Sequence, residues 1–144
     1  MNWVLAGLLF WAAWRGGAMG YNKKTGVKLV DLDPDFLRLL PLVEEAFTER
    51  SDGVPMIITS GAEGYRGDGV HSAGSLHYAY TEDGKRIPGG GRAIDLRIRN
   101  LAPGKAQAIT DYMNDRLGYL GIQAVLERAH IHVEWDVRHR QILT

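Results

Sequence analysis

Apolar residues recur along this chain with two different spacings, one helical and one strand-like. A helical spacing covers Pro34–Arg50, with Asp33 as an N-cap acid and a proline at the first helical position. Pro41 lies inside this segment and cannot donate a backbone hydrogen bond, so we expect a kink there or a helix split in two. The same spacing returns over Pro103–Leu117, where Gly118 is the expected C-cap.

Four shorter segments have the composition or the alternation of β-strands. They are residues 54–59, 92–99, 123–127 and 130–136. In the second, polar and apolar positions alternate, so Asp95 projects to the opposite face from Ile94 and Leu96. The last two are separated only by Arg128 and Ala129, which predicts a tight hairpin. The pattern therefore predicts an α+β fold, a small and mostly antiparallel sheet with helices packed against it.

Composition limits the classes of function. At 144 residues and 45% apolar content, the chain has the size of one domain with a single core. Lys+Arg and Asp+Glu both number 17, and neither sign forms a long run, which argues against a nucleic-acid partner. Cysteine is absent, so any metal must be held by imidazole, carboxylate or carbonyl groups.

The N-terminal segment, residues 1–20, differs from the domain expected over residues 21–144. Trp3–Trp14 is an unbroken apolar run, shorter than the roughly 20 residues of a membrane span and within the roughly 7–15 of a signal-peptide core. Ala18–Gly20 resembles a signal cleavage site, although no Lys or Arg precedes the run. Three interpretations stay open: a signal or weak membrane anchor, a helix packed on the domain, and sequence upstream of a true start at Met19.

Histidine is concentrated in two stretches of the chain. Four of the five histidines lie there, namely His71, His77, His130 and His132. On a strand, His130, His132 and Glu134 would project to one face. Such a pair alone is more often solvated than bound to metal. Two imidazoles with a carboxylate such as Asp95, however, are a common ligand set for catalytic zinc, which keeps one position open for water.

Three motifs occur in a fixed order: Ser-Leu-His at 75–77, Gly-Arg-Ala-Ile-Asp at 91–95 and His-Ile-His at 130–132. Together they resemble the zinc peptidases that include D-Ala-D-Ala carboxypeptidases and phage L-alanyl-D-glutamate endolysins, which share a fold with the hedgehog signalling domain. The resemblance covers roughly residues 28–138. It implies a hedgehog-like fold, a Zn²⁺ cofactor and, as substrate, the stem peptide of peptidoglycan, cut by an endopeptidase or a D,D-carboxypeptidase.

The resemblance also implies a ligand set and a proton-transfer group. The implied metal ligands are His77, Asp95 and His132. The implied proton-transfer group is His130 or Glu127. Glu127 and His130 also form an E-x-x-H arrangement, in which glutamate is the general base and His130 becomes the ligand in place of His132. Both histidines lie on one strand face, so spacing alone leaves the two assignments open.

Three further residues are assigned to the site. By the resemblance, Arg66 stabilises negative charge in the transition state and Ser75 contacts the substrate. For His71, three interpretations stay open: it contacts the substrate, it orients a ligand, or it is a loop histidine satisfied by backbone groups. Family members usually have a short gap between the first histidine and the aspartate, whereas here residues 78–94 intervene. Residues 80–90 are therefore interpreted as an inserted polar loop that could line the substrate groove.

Two rival functions and the cellular setting complete the expectations. One rival is a catalytically inactive zinc-binding structural or binding domain of the same fold, and the other is a metal-free scaffold with surface histidines. We expect a monomer whose only membrane contact would be an N-terminal anchor. If residues 1–20 are a signal, the protein is secreted, periplasmic or facing the cell wall. Otherwise it stays in the cytoplasm until a phage-type release.

Overall fold

Over residues 20–144, a four-stranded antiparallel sheet and two α-helices form the fold. The elements of the computed structural model are, in chain order, α1 (Pro34–Thr48), β1 (Ile58–Ser60), β2 (Ala93–Arg97), α2 (Lys105–Leu117), β3 (Ile122–Leu126) and β4 (His130–Trp135). The strand order in the sheet is β1-β2-β4-β3, and each neighbouring pair is antiparallel. Helix α2 packs on β3, and α1 packs on α2. The predicted α+β class is therefore confirmed.

The structure describes residues 20–144. The predicted N-terminal segment lies outside this part of the chain except for its last residue, Gly20, so its three interpretations stay predictions. From residue 20 onward, no helix has both the length and the apolar character needed to cross a bilayer.

Helix α1 continues through Pro41 as one element of 15 residues. Of the two expected outcomes, the split of this helix is therefore wrong, and the kink at Pro41 stays a prediction. Asp33 caps its start, because a carboxylate oxygen accepts from the backbone N–H of Asp35 at 3.0 Å. The proline removes one backbone hydrogen bond, but apolar side chains on both sides of it are buried and hold the helix in place. These are Phe36, Leu39, Leu40, Val43 and Phe47.

The first strand is shorter than predicted. Strand β1 begins at Ile58, whereas the apolar run predicted a strand from residue 54. Pro55 has no N–H to donate to a ladder, which limits pairing at the start of the run. Ile58 bonds instead to the chain before α1, since its N–H donates to the Asn22 carbonyl at 2.9 Å and its carbonyl accepts from Lys24 N–H at 2.8 Å. The pairing with β2 then shifts register between Ile58 and Ser60.

The C-terminal half follows the predicted order of helix and hairpin. Helix α2 ends at Gly118 as expected, although the left-handed glycine that turns the chain into β3 is Gly121, with φ 88°. Strands β3 and β4 form the predicted hairpin. Strand β3 is an edge strand, and Asn114 of α2 covers it, because its side-chain amide donates to the Ala124 carbonyl and accepts from the Ala124 N–H, both at 2.8 Å.

The two central strands separate an apolar face from a polar one. On β4, Ile131, Val133 and Trp135 are buried, while the alternate residues are half-buried on the opposite side. On β2, Asp95 pairs directly with His132 across the ladder. Side chains of directly opposed residues lie close together, so sheet register alone places this carboxylate beside this imidazole.

Candidate metal centre

A cleft of about 350 Å³ opens above the polar side of β2 and β4. Of the eight residues assigned to the site from the sequence, all except Arg66 line it. Ser72, Gly74, Leu76 and Glu134 complete its wall. The structure therefore brings together side chains from β2, from β4, from the hairpin turn and from the glycine-rich loop that precedes β2.

One oxygen of Asp95 is the centre of this cluster. Asp95 is 8% exposed, and its Oδ1 lies 3.0 Å from His132 Nδ1, 3.2 Å from His130 Nε2 and 3.3 Å from His77 Nε2. Three imidazole nitrogens thus converge on one carboxylate oxygen. A carboxylate oxygen and an unprotonated imidazole nitrogen are both acceptors, so each contact needs a proton or a cation between the two atoms. A neutral imidazole has only one N–H and can supply that proton at only one of its nitrogens.

The His77 ring is oriented by its Nδ1 contact, so that its Nε2 faces Asp95. The residue is 2% exposed, and its Nδ1 lies 2.9 Å from the carbonyl oxygen of Gly61. A carbonyl only accepts, so Nδ1 carries a proton, and in the neutral ring Nε2 then presents its lone pair to Asp95. The Ser75 hydroxyl accepts from the backbone N–H of His77 at 3.2 Å and holds this turn. Two acceptors that face each other in a buried place fit a bound cation.

Two glutamates flank the histidines of β4. Glu134 Oε2 lies 3.3 Å from His132 Nε2, on the side of the ring away from Asp95. A carboxylate on the second nitrogen of an imidazole fixes the orientation of a metal-binding histidine. Glu127 Oε2 lies 3.0 Å from His130 Nε2, the same nitrogen that faces Asp95. His130 and Glu127 therefore form a pair that can share a proton at the edge of the cleft.

Asp95 and His132 shift each other's pKa. Burial alone would raise the pKa of the Asp95 carboxyl, but hydrogen bonds with His132 and His77 outweigh burial, and the net pKa lies well below its usual range. The hydrogen bond with Asp95 raises the pKa of His132, against the opposing effect of burial. Without a metal, the pair favours a carboxylate beside an imidazolium. A divalent cation would satisfy the same carboxylate by replacing the imidazolium proton.

Within residues 20–144, two overlapping groups of side chains bring candidate metal-ligand atoms close together. In each group the candidate ligand atoms lie within 4.8 Å of one another; one is His71, His77 and Asp95, and the other is Asp95, His130 and His132. The ligand set implied by the resemblance draws on both groups, and the rings of His77 and His132 meet edge to face at 5.2 Å. Imidazole and carboxylate donors without thiolate suit zinc among other divalent ions.

His71 is placed by interactions that the sequence did not indicate. Its backbone N–H donates to the Tyr78 hydroxyl at 3.0 Å, and that hydroxyl lies 2.7 Å from Asp68 Oδ1. Burial and the hydrogen bond with Asp68 raise the pKa of Tyr78, so the phenol stays protonated. The His71 ring stacks on His77 at 4.7 Å. No sequence pattern indicated that Tyr78 and Asp68 position His71. Only their tertiary contacts show it.

Arg66 and the inserted loop lie away from this cleft. The Arg66 side chain is exposed, and its backbone N–H donates to the Tyr80 carbonyl at 2.9 Å. The Tyr80 hydroxyl donates to Asp31 at 2.9 Å, and Arg86 lies 3.7 Å from the same carboxylate. None of residues 80–90 lines the cleft. The insertion is therefore fastened near the start of α1 and does not border the histidines.

No family model matches this chain, and no curated protein or solved structure matches it either. The motifs and the geometry of the cluster around Asp95 are therefore the features that indicate a function.

Proposed function

We propose that this chain is a zinc-dependent peptidase that hydrolyses peptide bonds in the stem peptide of peptidoglycan. The observation that supports the proposal most is the convergence of three imidazole nitrogens, each within 3.3 Å, on Asp95 Oδ1. The substrate class comes from the resemblance of the three motifs to zinc peptidases.

The residues around Asp95 fit a zinc ion held by two imidazoles and one carboxylate. In the proposal His77, Asp95 and His132 are the ligands. Gly61 fixes the proton on His77 Nδ1, so that Nε2 stays available, and Glu134 orients His132. A zinc ion held by these three residues would supply Lewis-acid chemistry, namely polarisation of the scissile carbonyl and activation of water.

Proton transfer falls to Glu127 and His130. Their side chains contact each other at 3.0 Å, and both line the cleft on the side of the β3–β4 turn. The Glu127 side chain is half exposed, so it can take a proton from the attacking water and deliver it to the departing nitrogen. Ser75 lines the same cleft and is available to contact the peptide. Arg66 is outside the cleft, and the proposal gives it no step.

Digestion of purified peptidoglycan tests the proposal. We expect the zinc-loaded protein to release peptide fragments, identified by mass spectrometry, and a chelator to stop the release. His77→Ala and Asp95→Ala should abolish hydrolysis because each removes a ligand. His139→Ala is the matched control, since this histidine lies in the C-terminal 3-10 turn outside the cleft, and it should keep activity.

Retained hydrolysis in His77→Ala or Asp95→Ala would contradict the proposal. Stoichiometric zinc binding without hydrolysis would instead favour the inactive zinc-binding domain. Absence of zinc binding in the wild-type protein would favour a metal-free scaffold.

A further inference from the structure

His71 lies beside the proposed ligands without converging on them. One of its ring nitrogens is within 4.8 Å of the candidate ligand atoms of His77 and Asp95. Its ring is nearly parallel to that of His77, at an interplanar angle of 20° and a centroid distance of 4.7 Å. An imidazole binds a metal in the plane of its own ring, so two stacked rings do not both direct a lone pair at one ion. His71 is therefore placed next to the metal position as a neighbour.

His71 is also the cleft imidazole without a carboxylate partner. His77, His130 and His132 each contact Asp95. Within residues 20–144, His71 makes no ion pair, and its Nδ1 is buried without a hydrogen-bond partner. Buried polar atoms are almost always paired, so the His71 ring is unusual in that the described residues give Nδ1 no partner that would fix its hydrogen bonding.

The backbone around His71 is held firmly in place. The Tyr78 hydroxyl lies 3.0 Å from the backbone nitrogen of His71 and 2.8 Å from its carbonyl oxygen. Tyr78 itself is buried, its hydroxyl contacts Asp68, and its ring meets the His71 ring edge to face. A donor that is already fixed before the reaction stabilises developing charge without a cost of reorganisation.

The two glutamates that line the cleft have the wrong charge to stabilise an oxygen that becomes negative. Glu127 and Glu134 are carboxylates, and they engage His130 and His132. Their charge would repel such an oxygen, whereas an N–H donor attracts it. His71 lines the same cleft, and its neutral ring carries one N–H.

We propose that His71 is a catalytic residue that donates a hydrogen bond to the oxygen of the scissile carbonyl as that oxygen becomes negative. The inference rests on the proposed peptidase function. Attack by the water oxygen forms the new C–O bond and moves the carbonyl π electrons onto the carbonyl oxygen. His71 donates a hydrogen bond to this negatively charged oxygen. The water proton passes to the Glu127–His130 pair and then to the leaving nitrogen as the C–N bond breaks.

Binding of a tetrahedral analogue tests this role apart from activity. The probe is a stem-peptide phosphinate in which a PO₂⁻–CH₂ group replaces the bond cut in the digestion experiment. By calorimetry, we expect His71→Ala to weaken phosphinate binding about 10²-fold, with a similar fall in kcat and an unchanged KM. Zinc content should stay equal to that of the wild type. His71→Gln keeps a donor and should recover part of the loss.

His139→Ala is the matched control, because His139 Nδ1 is also buried without a hydrogen-bond partner, although it lies 3.9 Å from Asp136 Oδ2, and the residue is outside the cleft. Wild-type phosphinate affinity in both His71 variants would overturn the inference and leave the peptidase proposal standing. Loss of zinc from both variants would overturn it too, since His71 would then be a ligand. A wild-type protein that binds neither zinc nor the phosphinate would remove the proposed function itself.

Discussion

At the scale of single residues, Asp95 decides the chemistry of the cleft. A buried carboxylate is unfavourable unless it is paired, and this one is paired with three histidines. The arrangement gives Asp95 and His132 opposite pKa shifts, and a neutral His77 with its proton on Nδ1 directs a lone pair at the same carboxylate. Asp95 and the three histidines are held together by positive charge between the carboxylate and the rings. Protons or a metal ion can provide that charge.

The pKa shifts predict how the stability of the metal-free protein depends on pH. The pKa of Asp95 is lower in the folded state than its ordinary value of 3.8, so its contribution is present above pH 3.8 and is lost as pH falls through the folded value. The pKa of His132 is raised above 6.5, so its contribution is full below pH 6.5 and is lost as pH rises through the folded value. We therefore expect this pair to stabilise most between these limits.

Urea unfolding with a chelator present, at a series of pH values, measures this profile. Asp95→Asn should flatten it, because the neutral amide cannot hold an imidazolium. Asp136→Asn is the control, since Asp136 pairs with Arg138 outside the cleft, and it should leave the decline of stability above pH 6.5 in place. An unchanged profile in Asp95→Asn would show that other groups cause the dependence.

At the scale of elements, two prolines acted differently. Pro41 did not divide α1, because the buried side chains around it stabilise the helix by more than one missing hydrogen bond costs. Residues 54–57 lie outside β1 although their composition favours a strand, since Pro55 has no N–H to donate to a ladder. Packing decided the first case, and the local chemistry of proline decided the second.

The glycine of the Gly-Arg-Ala-Ile-Asp motif has a packing role at this scale. A Cβ on Gly91 would lie 2.8 Å from Ala62 Cβ and 3.1 Å from the carbonyl oxygen of His77. We expect Gly91→Ala to lower the free energy of unfolding by about 1–3 kcal/mol and to weaken zinc binding, because the segment carrying His77 must move. Urea unfolding and zinc titration measure the two effects.

Gly74→Ala is the control for this substitution. No atom lies within 4 Å of a Cβ at Gly74, so alanine should be accepted there with little change in stability or zinc affinity. Equal effects of the two substitutions would mean that close approach at Gly91 is not what the motif requires.

At the scale of the whole molecule, the proposed ligands come from distant parts of the chain. His77 precedes β2, Asp95 lies on β2 and His132 on β4, so these groups meet only in the folded protein. A metal bound by all three would stabilise the fold by mass action, by about 2.7 kcal/mol at a free concentration of 100 times Kd. We expect zinc to raise the melting temperature of the wild-type protein.

Asp95→Asn should lose this rise, and Asp136→Asn should keep it. The comparison by calorimetry separates binding at the cleft from adventitious binding elsewhere, because both substitutions remove one carboxylate. An equal rise in the two variants would place the metal outside the cluster around Asp95.

The sequence by itself determined the classes of the elements and the faces of the central strands. These are local properties, since a period of two or of 3.6 is read from neighbouring residues. Alternation alone put Asp95 of β2 opposite Ile94 and Leu96, and set His130 and His132 on the polar side of β4. The motif order added the expectation that these groups share a metal with His77.

Only the tertiary structure decided how these faces meet. The ladder register set Asp95 beside His132, and the Gly61 carbonyl oriented His77. The contact of Tyr78 with the backbone of His71 brought that ring to the cleft, while Arg66 stayed outside. The physical reason is that these positions depend on hydrogen bonds and packing between residues far apart in sequence, whose spacing along the chain carries no record of their distance in space.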